Sequence, residues 1–189
     1  MEIFKFKKKK INLSQILNKC SSGNSSAQEL LYKEYYGYAM SVALRFSDSK
    51  ESALEILNDS FLNVFNYLKQ NGQEGIKEFK PWLRRIIINK AIDHYRNYSN
   101  KNEVVYEEYL PDTEFPEEII SKMSAEDIIY QLQRLPDTYR LVFILYEIEG
   151  YSHKEISEKL GIAEPSCRKN LSRAKQLLRT MLLKAELNG

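Results

Sequence analysis

Arg168, Lys169, Ser172, Arg173, Lys175, Gln176 and Arg179 crowd into one short stretch of the sequence. The chemistry open to such a set is recognition rather than bond-making. Cations meet phosphates, and guanidinium, amide and hydroxyl groups meet base edges. Between them Cys167, Leu171, Ala174 and Leu178 recur at intervals of four, three and four, which is the spacing of one buried helix face. The helix thus gains an inner face for folding and an outer face for DNA. Its N-terminal side chains are placed to read bases, while Lys175 and Arg179 are placed to meet phosphates. A basic face by itself fits a solvated helix equally well, so the flanking elements decide.

Those elements are consistent with each other. Ser152 stands three residues before Glu155, the pattern of a capping box that opens a helix. Ile156 and Leu160 share one face of that helix, Gly161 supplies a permissive turn, and Ile162 is an apolar plug for the angle that follows. Pro165 suits the first turn of the next helix. The sum is a helix-turn-helix over about Tyr151 to Arg179. Cys167, inside the apolar stripe, reads as a small buried hydrophobe rather than a redox switch.

A second constellation lies between Phe79 and Tyr98. Trp82, Asn89, His94, Tyr95 and Tyr98 are interleaved with Lys80, Arg84, Arg85, Lys90 and Arg96. Arg85, Asn89 and Arg96 share one helix face. Stacking surfaces, polar groups for an exposed base edge and backbone cations are what an unpaired strand needs. Trp82 is read as a core residue. On spacing alone Asn89 is equally an ordinary surface amide.

The formal net charge of +2 over 189 residues conceals a pattern. Lys77 to Lys101 carries seven basic residues against two acidic, and Glu164 to Lys184 carries six against one. Between them, Glu103 to Asp127 holds nine acidic residues and one lysine. Two basic blocks around an acidic one suggest two polyanion-facing surfaces joined by a segment that avoids them. Cys20 and Cys167 are too few and too distant for a disulfide framework or a zinc site, which points to a reducing cytoplasm. The basic start leads into no apolar segment, so neither a secretory signal nor membrane insertion is expected. His94 and His153 read as surface or capping residues, with no metal and no cofactor. No nucleophile–base pair or phosphate-binding glycine loop suggests an enzyme.

With 7 Gly and 5 Pro, turn chemistry is sparse and an all-α fold is expected. Leu31, Tyr35, Tyr38, Val42 and Phe46 step at helical intervals, as do Ala53, Leu57, Phe61, Val64 and Leu68. A third long helix follows from about Phe79, with Pro81 in its first turn. The expected organisation is a basic N-terminal arm at 1–12, a helical bundle at 13–98, a flexible acidic linker at 99–116 and a helix-turn-helix domain at 117–189.

At this point the residues carry a family resemblance. Leu135-Pro136-Asp137, Glu149-Gly150-Tyr151-Ser152, Leu160-Gly161-Ile162 and Leu171-Ser172-Arg173-Ala174-Lys175 resemble region 4 of bacterial RNA polymerase sigma factors. The small extracytoplasmic-function (ECF) group is the nearest in character. Ala27, Leu31 and Tyr32, Asp59-Ser60-Phe61, Phe79-Lys80-Pro81-Trp82-Leu83-Arg84-Arg85-Ile86 and Asn89-Lys90-Ala91-Ile92-Asp93 resemble region 2. The resemblance implies a promoter-recognition subunit of RNA polymerase. Region 2 would bind the β′ clamp helices and melt the −10 element, and region 4 would bind the β flap and read the −35 element. By position, Asn58, Asp59 and Phe61 fall at the clamp. The loop Gln70 to Glu78 and Asn89 fall where a flipped base is captured, amid Lys80, Arg84, Arg85, Lys90 and Arg96. Arg168, Lys169, Ser172 and Arg173 fall at the −35 groove. The implied partners are core RNA polymerase, promoter DNA and an anti-sigma factor or other regulator. The alternative is a stand-alone helix-turn-helix regulator, which would leave the Trp82-to-Arg96 cluster without a purpose.

Overall fold

A computed structural model describes residues 12–98 and 124–187. Residues 1–11 of the basic arm, the acidic linker expected at 99–116 and the helix start expected near Glu117 lie outside the described residues. Among those described, all regular structure is helical.

Four helices form the first group: α1 (Leu13–Ser21), α2 (Ser25–Phe46), α3 (Lys50–Asn71) and α4 (Phe79–Tyr98). Short polar residues start the first three. Asn12, Asn24 and Ser49 each accept a hydrogen bond from the backbone N–H three residues on, replacing a partner the helix itself does not supply. The expected stripe of α3 is fully realised, with Ala53, Leu57, Phe61, Val64 and Leu68 buried. They meet Leu31 and Val42 of α2 and Leu83 and Ile87 of α4 in one core. Burying each such Leu, Ile or Phe contributes about 1.5–3 kcal/mol, and this packing fixes α4's orientation. In α2, Tyr35 and Tyr38 are only half buried, Tyr35 packing on Phe79 and the Tyr38 hydroxyl donating to the Lys80 carbonyl at 3.4 Å.

The second group comprises α5 (Ala125–Gln133), α6 (Asp137–Phe143), α7 (His153–Leu160) and α8 (Glu164–Leu187). Helix α6 continues directly into a π-helical turn over Ile144–Ile148. There Glu149 N–H reaches back to the Ile144 carbonyl at 3.0 Å. Hydrophobic periodicity carries no signal for this widened turn, a feature that often accompanies function. The expected capping box is present: Ser152 accepts from Glu155 N–H, while the Glu155 carboxylate accepts from Ser152 N–H. Gly161 closes α7 in the left-handed region at φ +69°. A Cβ there would meet nothing within 4 Å, so glycine is needed for its backbone and not for space.

The two groups touch. Helix α5 packs on α2, and α7 approaches α4. Arg140 of α6 is buried, donating from Nε to the Phe46 carbonyl at 3.4 Å and from Nη1 to the Leu135 carbonyl at 3.0 Å. Its position complements the negative end of the α2 dipole.

Candidate nucleic-acid interface

Helix α8 divides as its sequence requires. Cys167, Leu171, Ala174 and Leu178 are buried, and Asn170 joins them. Burial pushes the Cys167 thiol above its ordinary pKa, with Glu164 adding to the effect, so the reactive thiolate is disfavoured. On the other side Arg168, Lys169 and Ser172 are exposed and Arg173 is half-exposed. Arg168 pairs with Glu164 one turn earlier, at 2.6 Å. That surface pair is weak enough to be exchanged for a phosphate.

The other two basic positions of α8 are placed differently. Lys175 forms a 2.7 Å ion pair with Glu147 of the π-helical turn. Arg179 is half-buried, with one terminal nitrogen enclosed. Arg168 and Lys169, by contrast, are exposed in the N-terminal half of the helix.

Helix α4 is the second basic surface. Phe79 anchors its start, edge-on to Tyr35 with centroids 4.6 Å apart. Trp82 packs against Tyr67 at 5.0 Å and Phe79 at 5.8 Å, as a core residue rather than an open stacking platform. Leu83, Ile87, Ile88, Ala91 and Ile92 are buried. Their burial turns Arg85 and Asn89 outward, and both are exposed, as is Lys80. Lys80 sits 5.7 Å from the centre of the Tyr38 ring. Lys90 is half-exposed. The remaining two cations point at the second helical group. Arg84 donates from Nε and Nη2 to the two Glu149 carboxylate oxygens at 2.8 and 2.6 Å. That pairing, with help from Tyr38, holds the Arg84 guanidinium above its already high pKa despite burial. Arg96 donates to the carbonyls of Glu158 and Lys159 at the end of α7.

The loop between α3 and α4 is built rather than slack. Gln73 Nε2 donates to the Ser14 carbonyl at 2.8 Å and to Asn18 Oδ1 at 2.6 Å. Tyr67 Oη donates to the Glu74 carbonyl at 2.6 Å. Gly75 has φ +76°, and a Cβ there would lie 3.1 Å from that same hydroxyl. Gln73 and Tyr67 were not distinguished by sequence pattern, because their roles depend on contacts across some fifty residues or on a backbone carbonyl, whereas Asn12-Leu13-Ser14 does mark the start of a short helix, which is α1.

Asn58 and Asp59 are exposed on α3, with Asn58 accepting from the Tyr32 hydroxyl at 2.9 Å. Phe61, grouped with them at the clamp position by the family resemblance, is 1% exposed and packs on Tyr32 at 4.8 Å. Its place in the heptad-like stripe sends it inward, so it supports that face from below. Leu62 and Leu54 are the exposed apolar residues there. Among the described residues there is no group of three or more His, Cys, Asp or Glu able to hold a metal ion. None of the described helices is long and apolar enough to cross a membrane.

Comparison with known proteins follows the same two-part division. Residues 31–101 match the family described as Sigma-70 region 2, and residues 125–178 match Sigma-70, region 4. The chain is 31% identical over 160 residues to the ECF RNA polymerase sigma factor SigE of Mycolicibacterium smegmatis, covering 82% of this chain and 61% of that one. It is 33% identical over 134 residues to the RNA polymerase sigma factor SigZ of Bacillus subtilis, covering 67% of this chain and 73% of that one. With the RNA polymerase sigma factor YlaC of the same organism it shares 28% identity over 162 residues, or 83% and 92% of the two chains. Two family regions in order, each coinciding with one basic helix, place the chain among the RNA polymerase sigma factors, in the ECF group.

Proposed function

We propose that the chain binds core RNA polymerase and directs it to promoters, reading the −35 element with α8 and capturing the melted −10 strand with α4 and the loop before it. The observation that carries this reading is the pairing, in one chain, of two different nucleic-acid surfaces. Helix α8 presents Arg168, Lys169, Ser172 and Arg173 from the second helix of a capped helix-turn-helix, a shape suited to the major groove of a duplex. Helix α4 presents Arg85 and Asn89 beside a glycine-containing loop pinned by Tyr67 and Gln73, a shape suited to one extruded base. A duplex-only regulator needs the first surface and has no use for the second.

The exposed face of Asn58, Asp59, Leu54 and Leu62 is the surface we assign to the β′ clamp helices. Apolar side chains ringed by polar ones suit a protein partner. The second helical group is assigned to the β flap. The site of action is then the cytoplasm, where the polymerase works, and an anti-sigma factor or similar regulator is the expected controlling partner. The test is co-migration of the chain with core polymerase on gel filtration, followed by run-off transcription from a promoter library. Formation of the complex with promoter-dependent transcripts supports the reading. Absence of a complex overturns it.

A further inference from the structure

Helix α1 lies ahead of residues 31–101, the segment that matches region 2, yet it is bonded to the loop that the promoter reading assigns to the melted strand. The join runs through Gln73. Its Oε1 accepts from the Ser14 hydroxyl at 3.2 Å, and its Nε2 donates to the Ser14 carbonyl at 2.8 Å and to Asn18 Oδ1 at 2.6 Å. An amide nitrogen carries two hydrogens, so both are used, and the oxygen is engaged as well. Gln73 is half-buried in this contact, while Ser14 and Asn18 stand on the exposed side of α1. The other side of α1 buries Ile16, Leu17 and Cys20 in the core of the first helical group. The clasp therefore ties the loop to a rigid body.

Gly72 and Gly75, both at positive φ, flank Gln73 and Glu74. Two such permissive positions let the segment between them swing, and two side-chain contacts oppose that. Tyr67 of α3 holds the Glu74 carbonyl, and α1 holds Gln73. The first bond fixes one point of the loop, and the second fixes its orientation about that point. A pocket that selects one extruded base needs its polar groups held to within about 0.5 Å. Resting on the sigma reading above, we propose that α1 is part of −10 recognition, with Ser14 and Asn18 as positioning residues. By engaging the whole Gln73 amide they hold the loop in the shape that discriminates among bases at the captured position. Gln73 itself does not read the base, because its donors and its acceptor are spent on α1. Once released, the amide offers a donor and an acceptor to any base edge and the loop gains freedom. Selectivity then falls while binding persists.

The experiment uses holoenzyme assembled from the full chain and core polymerase. Pre-melted promoter fragments carry each of the four bases in turn at every −10 position of the non-template strand, and the position with the largest spread in affinity is the captured one. The ratio of best to worst base there is compared among the parent, Gln73→Ala, Asn18→Leu and Asn18→Asp. Asn18→Asp keeps an oxygen to accept from Gln73 Nε2, and Asn18→Leu removes it. Asn18 is exposed, so neither change disturbs the core. The ratio should fall about tenfold in Gln73→Ala and Asn18→Leu, the size of one lost base-edge contact, and be kept in Asn18→Asp. The proposal is overturned if Asn18→Leu leaves the ratio unchanged, or if affinity for all four bases falls equally. It is also overturned if Asn18→Asp loses as much selectivity as Asn18→Leu. A loss confined to Gln73→Ala overturns it too, since Gln73 would then read the base directly. Failure of the sigma reading is distinct: no holoenzyme forms, or the parent shows no base preference at any −10 position.

Discussion

The Tyr67 hydroxyl donates to the Glu74 carbonyl at 2.6 Å, so the loop that precedes α4 is held by a side chain of the helix before it. A Cβ on Gly75 would lie 3.1 Å from that hydroxyl, close enough that the Tyr67 side chain would have to give by a few tenths of an ångström. Gly75→Ala should therefore cost about 1–2 kcal/mol in left-handed backbone strain alone and push the Tyr67 hydroxyl away. Tyr67→Phe should cost about 0.5–1.5 kcal/mol. Urea denaturation checks both. If the loop shapes a base pocket, both variants also slow open-complex formation while leaving duplex binding by α8 unchanged.

The helix-turn-helix depends on its cap and its turn. Ser152→Ala should destabilise the chain by about 1 kcal/mol, and Gly161→Ala by about 1–2 kcal/mol, whereas Gly161→Asn should cost less because asparagine tolerates the left-handed region. Thermal denaturation orders the three variants. A Gly161→Ala variant as stable as the parent would contradict the assigned turn geometry.

Glu155 and Asp48 both contribute to the acid response. Hydrogen bonds from Ser152 hold Glu155 below the usual carboxylate range. Burial raises Asp48, but bonds from Ser52 and Ser49 and the nearby Arg140 charge outweigh it and leave it lowered. A depressed folded pKa contributes stability that is complete above the unfolded value of about 4 and is lost as pH falls through the folded value. Tm should therefore be flat from neutrality down to about pH 5 and fall below it. The fall should be shallower in Glu155→Gln, in which the titrating group is gone. An unchanged acid limb in that variant would contradict the assignment.

The two basic surfaces should separate functionally. Arg173→Ala should weaken −35 duplex recognition, by about 1–3 kcal/mol if it contacts a base. Lys169→Ala, if its contact is a phosphate, should weaken binding to all sequences and lower the salt slope by about one. Asn89→Ala should leave initial promoter binding nearly intact and impair melting. Holoenzyme titrations on duplex and pre-melted promoter fragments distinguish these outcomes. The reverse pattern would show that the two surfaces have been exchanged.

Much of this arrangement was legible in the sequence because it is local. The Ser152–Glu155 box, the Gly161 turn and the α3 and α8 stripes each depend on residues within a few turns of one another. Phe61 obeys the stripe spacing that turns it inward, and it is the positional grouping with exposed Asn58 and Asp59 as a partner contact that its burial corrects. Arg140 was illegible for another reason. An arginine is ordinarily read as surface, and it is the Asp137 carboxylate together with converging carbonyls from Phe46, Gln133 and Leu135 that makes its burial tolerable. The Arg84–Glu149 fork spans 65 positions, and no periodicity reports a contact of that kind. The same is true of Lys175, whose pairing with Glu147 depends on where the π-helical turn places that carboxylate.

Permanganate reactivity of −10 thymines on a promoter fragment tests the central claim most directly. With core polymerase and this chain together, the thymines should become reactive, and neither component alone should expose them. Asn89→Ala should suppress the signal while the complex still forms. Thymines that stay protected in the combined sample, with the chain alone bound specifically and tightly to duplex promoter, would contradict the account.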